Sequence, residues 1–185
     1  MTVLDETALL EAIQGFEPSG LAAINVSEFV FKSEFRALCE ANRCGHYNKK
    51  WTCPPHVGDV DTLINEVKIF QRAIVFQVIG QLKHSLDWKG TLAAGKTFNN
   101  ITYQIVEQIV PKLDKTLVLG SGPCQICDVC AFKSSEACRH PDKAVRSLEA
   151  NCVDVNALAA SCGLKYINGP NTVTFFGTLL FNPQP

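Results

Sequence analysis

Apolar residues recur with two different periods along this chain, and each change of period marks a change of secondary structure. Spacing of three to four residues, with capping residues, predicts helices at 5–15, 33–40, 59–70, about 18 residues ending near 111, 142–150 and 154–162. Runs rich in branched and aromatic residues predict strands at 22–31, 72–80, 115–119 and 172–181. The segment from 43 to 58 is rich in Gly, Asn, Lys and Pro and predicts a loop.

This order of elements predicts an α+β fold, or a compact α/β fold, in a single metal-binding domain over residues 1–185. We expect a sheet of about four strands with helices on one face, and cysteine-rich loops at its ends. The chain has 185 residues, of which 46% are hydrophobic. A chain of this length buries roughly 70% of its unfolded surface, so it needs no metal merely to form a core.

Charge and apolar segments exclude several classes of protein. The formal net charge is −1, which gives no overall attraction to nucleic acid or to an anionic membrane. No stretch approaches the ~20 apolar residues of a membrane span, and residues 1–16 lack the basic and apolar regions of a secretion signal. We therefore expect a cytoplasmic protein that binds no nucleic acid and does not insert into a membrane. In that compartment thiols stay reduced.

Seven of the nine cysteines lie in two groups. The first group contains Cys39, Cys44 and Cys53, and the second contains Cys124, Cys127, Cys130 and Cys138. Under reducing conditions such grouping indicates metal binding or redox chemistry rather than a set of disulfides.

The second group has the spacing C-x₂-C-x₂-C, with Cys138 following at a distance. Three cysteines at equal two-residue spacing, with a fourth supplied later, are typical of iron–sulfur proteins. Zinc modules more often use two separated C-x₂-C pairs. The pattern therefore predicts a [4Fe-4S] cluster on these four cysteines, with zinc as the alternative. Four nearby cations could offset the charge of the ligated cluster: Lys133, Arg139, Lys143 and Arg146.

The first group is less regular, and it ends in Cys53-Pro54, a step that also closes ferredoxin motifs. Basic neighbours favour thiolate over thiol here. Two cubane clusters need about eight thiolates, and the two groups together supply seven. We predict a second cluster with at most three cysteine ligands, although one cluster with spare thiols explains the same sequence. The remaining ligand could be Cys152, a histidine such as His46 or His56, a bound small molecule, or nothing. It could also come from exchange between the two groups, for which Cys53 is the natural candidate.

Cys162 lies on the apolar face of a predicted helix, with Val155 and Leu158. This position predicts a core cysteine rather than a metal ligand.

Four motifs together resemble a family of small, cysteine-rich, predicted metal-binding proteins, domain-of-unknown-function family 2284, whose members occur mostly in anaerobic bacteria and archaea. The resemblance covers about residues 35–180 and is carried by Cys44–Pro55, Gly122–Cys130, Cys138–Pro141 and Arg146–Ala150. It implies metal binding by the seven grouped cysteines and an anaerobic or low-potential setting. It implies no reaction, and the family pattern has glycine at the position of Cys152.

The sequence contains no phosphate loop, no GxGxxG, no G-x-S-x-G and no HExxH. The first hypothesis is therefore an iron–sulfur protein that exchanges electrons at low potential with a larger redox partner. A second is a zinc-stabilised interaction module without a redox role. A third is an enzyme that binds substrate at an open iron site of a cluster, so the sequence leaves enzymatic activity undecided.

Overall fold

The computed structural model of the protein describes residues 5–183. The strands in this range are β1 (Gly20–Asn25), β2 (Arg72–Gln81), β3 (Thr116–Gly120), β4 (Arg146–Ser147) and β5 (Thr172–Phe181). The α-helices are α1 (Glu6–Gln14), α2 (Phe35–Glu40), α3 (Val60–Lys68), α4 (Trp88–Gln104) and α5 (Val155–Ser161). Helix α4 continues through a π-helical turn, Ile105–Ile109, and a 3₁₀ turn, Val110–Lys112. Further 3₁₀ turns are Val26–Glu28, Ala131–Ser134, Pro141–Lys143 and Glu149–Asn151.

Aspartate side chains define the starts of four helices. Asp5, Asp59, Asp87 and Asp154 each accept a hydrogen bond from the backbone N–H three residues further on, at 2.8 to 3.1 Å. Each bond satisfies an N–H that the first helical turn leaves without a partner. The predicted starts of α1, α3 and α5 are confirmed. Asp87 starts α4 several residues before the predicted helix of about 18 residues that ends near 111.

The strands form one mixed sheet in the order β1-β2-β5-β3-β4. The pairs β1–β2, β2–β5 and β5–β3 are antiparallel, and β3–β4 is parallel. The α+β class is confirmed. The described residues contain five strands rather than about four, because the two-residue β4 adds an edge that has no apolar run in the sequence.

The expectation of helices on one face is wrong, because helices cover both faces of the sheet. Successive strand residues point to opposite faces. Ala73 and Val75 of β2 pack in one core with residues of α3 and α5, whereas Ile74 and Phe76 pack in a second core with residues of α1 and α4. The unbroken apolar run of β2 is the signature of a strand buried on both sides.

Two predicted elements differ from the structure. Strand β1 ends at Asn25, which pairs with Arg72 at the start of β2 and so has no partner strand beyond it. The helix predicted at 142–150 is wrong. Arg146 and Ser147 are instead drawn into parallel pairing with Leu119 and Gly120, which extends the backbone where a helix would have to run.

Gly177 on β5 allows a close approach of the ring of Phe76, which is fully buried. A Cβ at position 177 would lie 2.4 Å from Phe76 Cζ. Gly177→Ala is therefore expected to lower the free energy of unfolding by about 1–3 kcal/mol, measured by urea denaturation.

Gly95→Ala is the matched control, since its added Cβ meets only Phe175 at an ordinary 3.6 Å. This change should leave stability equal or raise it by about 0.5–1 kcal/mol, because alanine favours the helix. Equal stability of Gly177→Ala and the parent would contradict the close packing at β5.

Candidate metal centre

The two cysteine groups, distant in sequence, lie on loops that contact each other. Lys50 Nζ donates to the carbonyl oxygen of Cys124 at 2.5 Å, and the backbone N–H of Cys124 donates to Thr52 Oγ1 at 3.3 Å. Trp51 Nε1 donates to the carbonyl oxygen of Glu136 at 3.0 Å. Three successive residues of the first loop therefore hold the backbone of the second loop at its beginning and near its end.

One cavity receives all four cysteines of the second group. Its wall includes Cys124, Cys127, Cys130 and Cys138. Each of these side chains is partly exposed, so the cavity lies near the protein surface. Among the residues described, none that lines the wall has a carboxylate, and the side chains that complete it are Ile126, Ala131, Arg139 and His140.

A short turn explains how Cys138 reaches the other three cysteines. The 3₁₀ turn Ala131–Ser134 begins directly after Cys130, and Ser135 then takes a left-handed conformation with φ of 56°. The N–H of Glu136 donates to the carbonyl oxygen of Ala131 at 3.1 Å, which reverses the chain. The seven residues between Cys130 and Cys138 thus fold back and return the fourth cysteine to the same cavity.

A separate cavity receives the first group. Cys39 comes from α2, and Cys44 and Cys53 come from the loop that follows it. Ser147 of β4 and Pro123 of the second loop also line this cavity, so it lies between the two cysteine-rich loops and the sheet edge. Of all the residues described, no three His, Cys, Asp or Glu side chains converge closely enough to hold a single metal ion.

The model of a family described as predicted metal-binding protein (DUF2284) matches residues 22–181. The chain belongs to this family. The match encloses both cavities and all seven grouped cysteines. No curated protein and no solved structure matches the chain. The family description predicts that this DUF2284 protein binds a metal, and it does not specify which metal. Within residues 5–183, none of its helices has the length and apolar character needed to cross a membrane.

Burial has the largest effect on the pKa values of two thiols in the first cysteine cavity. It raises the pKa of Cys53 to about 11, with the neighbouring Cys44 thiol adding to the effect and Lys50 opposing it. Burial also raises the pKa of Cys39, although Arg36 opposes the shift. The basic neighbours Arg36 and Lys50 thus lower the pKa of these thiols in the predicted direction, but the cost of burying a charge is larger and the net shift favours the thiol. A bound metal would supply the positive charge that deprotonates them.

The two candidate histidines have different surroundings. His46 lines the first cavity together with its three cysteines. Burial lowers the pKa of His46, and Lys50 and Lys49 lower it further. His56 lies outside both cavities. Its Nε2 is 2.7 Å from Asn48 Oδ1, and its ring packs 4.5 Å from the ring of Phe132. The structure therefore places His46, rather than His56, with a cysteine group.

Cys152 and Cys162 do not line either cavity. Cys152 is 1% exposed and has a φ of 58°, the left-handed region in which glycine is favoured. A glycine would adopt this backbone conformation without strain. Cys162 follows α5 and packs against the core, and burial raises its pKa to about 11. Its surroundings match the predicted role of a core cysteine.

Tyr103 of α4 is a neighbour of the second group that sequence patterns did not reveal. Its hydroxyl oxygen lies 3.9 Å from Cys124 Sγ and accepts a hydrogen bond from the N–H of Gln125 at 3.1 Å. Burial raises the pKa of Tyr103 to about 12, with the nearby Cys124 and Cys127 thiols adding to the shift. A neutral O–H therefore stands beside the first sulfur of the group. The apolar spacing of α4 predicts which face of the helix is buried. It cannot predict that a loop about 20 residues further along the chain packs against Tyr103.

The predicted cations divide into two sets. Arg139 lines the second cavity and donates to the carbonyl oxygen of Val129 at 3.1 Å. Lys143 and Arg146 lie outside that wall and form ion pairs with Glu107 and Glu66. Arg139 also has a carboxylate partner, Glu136, at 3.4 Å. Lys133, in the 3₁₀ turn Ala131–Ser134, does not line the cavity either, so of the four predicted cations only Arg139 is placed to offset charge there.

Proposed function

We propose that this DUF2284 protein binds a [4Fe-4S] cluster through Cys124, Cys127, Cys130 and Cys138 and exchanges electrons with a larger redox protein. The observation that carries this proposal is that one cavity is lined by four cysteines, the three of the C-x₂-C-x₂-C run and the more distant Cys138. The cavity wall offers sulfur and no carboxylate, and thiolates are the usual ligands of iron–sulfur clusters.

The chain's own residues would tune such a centre. Tyr103 O–H stands near Cys124 Sγ and can donate to a sulfur that carries negative charge. Arg139 adds a positive charge to the wall of the cavity. Hydrogen bonds to ligand sulfurs, nearby charge and solvent exposure set the reduction potential of a cluster, while the cluster itself supplies one-electron chemistry.

The partner would dock on the loop that carries the ligands. Val129, between Cys127 and Cys130, is 53% exposed. An apolar side chain at the surface of a ligand loop offers a contact that does not require partner charge. Partly exposed ligands also keep the distance to a docked redox centre short. Both features support electron transfer to a docked partner, which we place in a reducing, cytoplasmic compartment as part of the proposal.

We infer a second cluster in the first cavity, held by Cys39, Cys44 and Cys53, with a non-cysteine ligand on its remaining iron. The support is that one cavity gathers all three cysteines. Cys152, the cysteine that the sequence offered for the remaining position, does not line that cavity.

The test is metal and acid-labile sulfide analysis of protein purified without oxygen. We expect iron and sulfide in equal amounts, about four of each for every cluster, together with a brown colour. Zinc with no sulfide would overturn the proposal in favour of a zinc-stabilised interaction module.

A further inference from the structure

A third cavity lies against α4, on the far side of the loop that leads into the second cysteine group. Its volume is about 230 Å³, slightly below the ~300 Å³ at which the usual range of small-molecule sites begins, and it is partly open to solvent. Its wall is mainly apolar and aromatic, with Trp88 at the start of α4 and the rings of Phe98 and Phe175. These two phenylalanine rings stack at 5.7 Å between centroids.

Two features leave this cavity accessible to a ligand. Gly95 lines it in the middle of α4, where a larger residue would project into the space. Trp88 and Leu92 are 69% and 48% exposed, so large apolar side chains stand at the cavity without protein to cover them. Glycine in a helix interior costs about 0.5–1 kcal/mol relative to alanine. An apolar cavity kept open at that cost has the character of a ligand site rather than of a packing defect.

The wall of this cavity carries a positive charge. Lys96 is the only charged side chain among the described residues that line the cavity. Asn99, Ser121 and Gln125 add polar groups, and no carboxylate lines the cavity in the part of the chain that the structure describes. An anionic group would find a partner in Lys96, whereas a cation would meet repulsion.

The cavity adjoins the metal-binding region. Gly122 and Pro123 line both this cavity and the first cysteine cavity. Gln125, the residue after Cys124, lines it as well. An occupant would therefore sit against the loop that carries Cys124, separated from the first cysteine cavity by the width of that loop.

We propose that this cavity binds a small planar aromatic molecule that carries one anionic group. The rings of Phe175 and Trp88 recognise the aromatic plane, and Lys96 recognises the anion. Phe98 is buried and supports Phe175 by stacking against its ring. The inference goes beyond the proposed function, because none of these contacts requires a metal.

The test is calorimetric titration of the anaerobically purified full-length protein with 2-naphthalenesulfonate, a planar aromatic anion. We expect saturable binding of one molecule per chain. Gly95→Leu should abolish it by filling the cavity, whereas Gly95→Ala should retain it. Lys96→Gln should weaken it by about three- to fivefold, the range of an exposed charge pair. Lys89→Gln, on the same helix but outside the wall, should leave it unchanged.

Iron content and thermal unfolding of each variant report whether the fold is intact. A folded Gly95→Leu variant that binds the probe as well as the parent would overturn the inference. So would the absence of saturable binding to the parent, or equal weakening by Lys89→Gln and Lys96→Gln. A parent protein that contains no iron when purified without oxygen would contradict the proposed function. The binding measurement could still be interpreted, because the proposed contacts involve no metal.

Discussion

Cys127→Ser is expected to remove the cluster of the second cavity, with a loss of about four irons per chain from anaerobically purified protein. Cys130→Ser should have the same effect. Both cysteines line the cavity at the centre of the run, and a hydroxyl is a far poorer ligand for iron than a thiolate. Iron and sulfide analysis with the visible absorption spectrum measures the loss.

The matched control is Cys162→Ala, which removes a cysteine that lines neither cysteine cavity. It should keep the full iron content and cost about 1–2 kcal/mol of stability, as expected for a small buried apolar group. Unchanged iron in both serine variants would sink the ligand assignment. A large loss of iron from Cys162→Ala would show that a ligand has been mistaken for a core residue.

The triple variant Cys39→Ala, Cys44→Ala and Cys53→Ala is expected to lose half of the iron while the signal of the remaining cluster persists. The three thiols share one cavity, whereas the contacts of Lys50 and Thr52 with Cys124 use no cysteine side chain of the first group. The second loop therefore stays supported when the first site is removed. Mössbauer and EPR spectroscopy of anaerobic samples count the clusters that remain.

Cys152→Gly is the control for the triple variant. Glycine adopts the left-handed conformation at this position without strain, and the Cys152 side chain lines neither cysteine cavity. We expect its iron content to equal that of the parent. If the parent and the triple variant hold the same four irons, there is no second centre. Loss of iron from Cys152→Gly would instead make Cys152 a ligand.

Local signals were sufficient for most of the secondary structure. The β5 strand was predicted at its observed limits, and aspartate caps placed the starts of α1, α3 and α5. These features are encoded within a few consecutive residues, through alternation, branching and a side chain that accepts from nearby N–H groups. Errors arose where a distant partner decided the backbone. Arg146 and Ser147 extend because β3 pairs with them, and β1 stops because β2 offers no further partner.

The sequence by itself determined the grouping of the seven cysteines and the family to which the chain belongs, because ligand spacing and motif order are properties of the chain. Only the tertiary structure decided which side chains share each cavity. It brought Tyr103 to Cys124, placed His46 with the first group and His56 away from it, and assigned Lys143 and Arg146 to ion pairs. The physical reason is that these contacts join residues from separate elements, and sheet order and loop packing set their positions. Neither sheet order nor loop packing can be predicted from the local periodicity of the sequence.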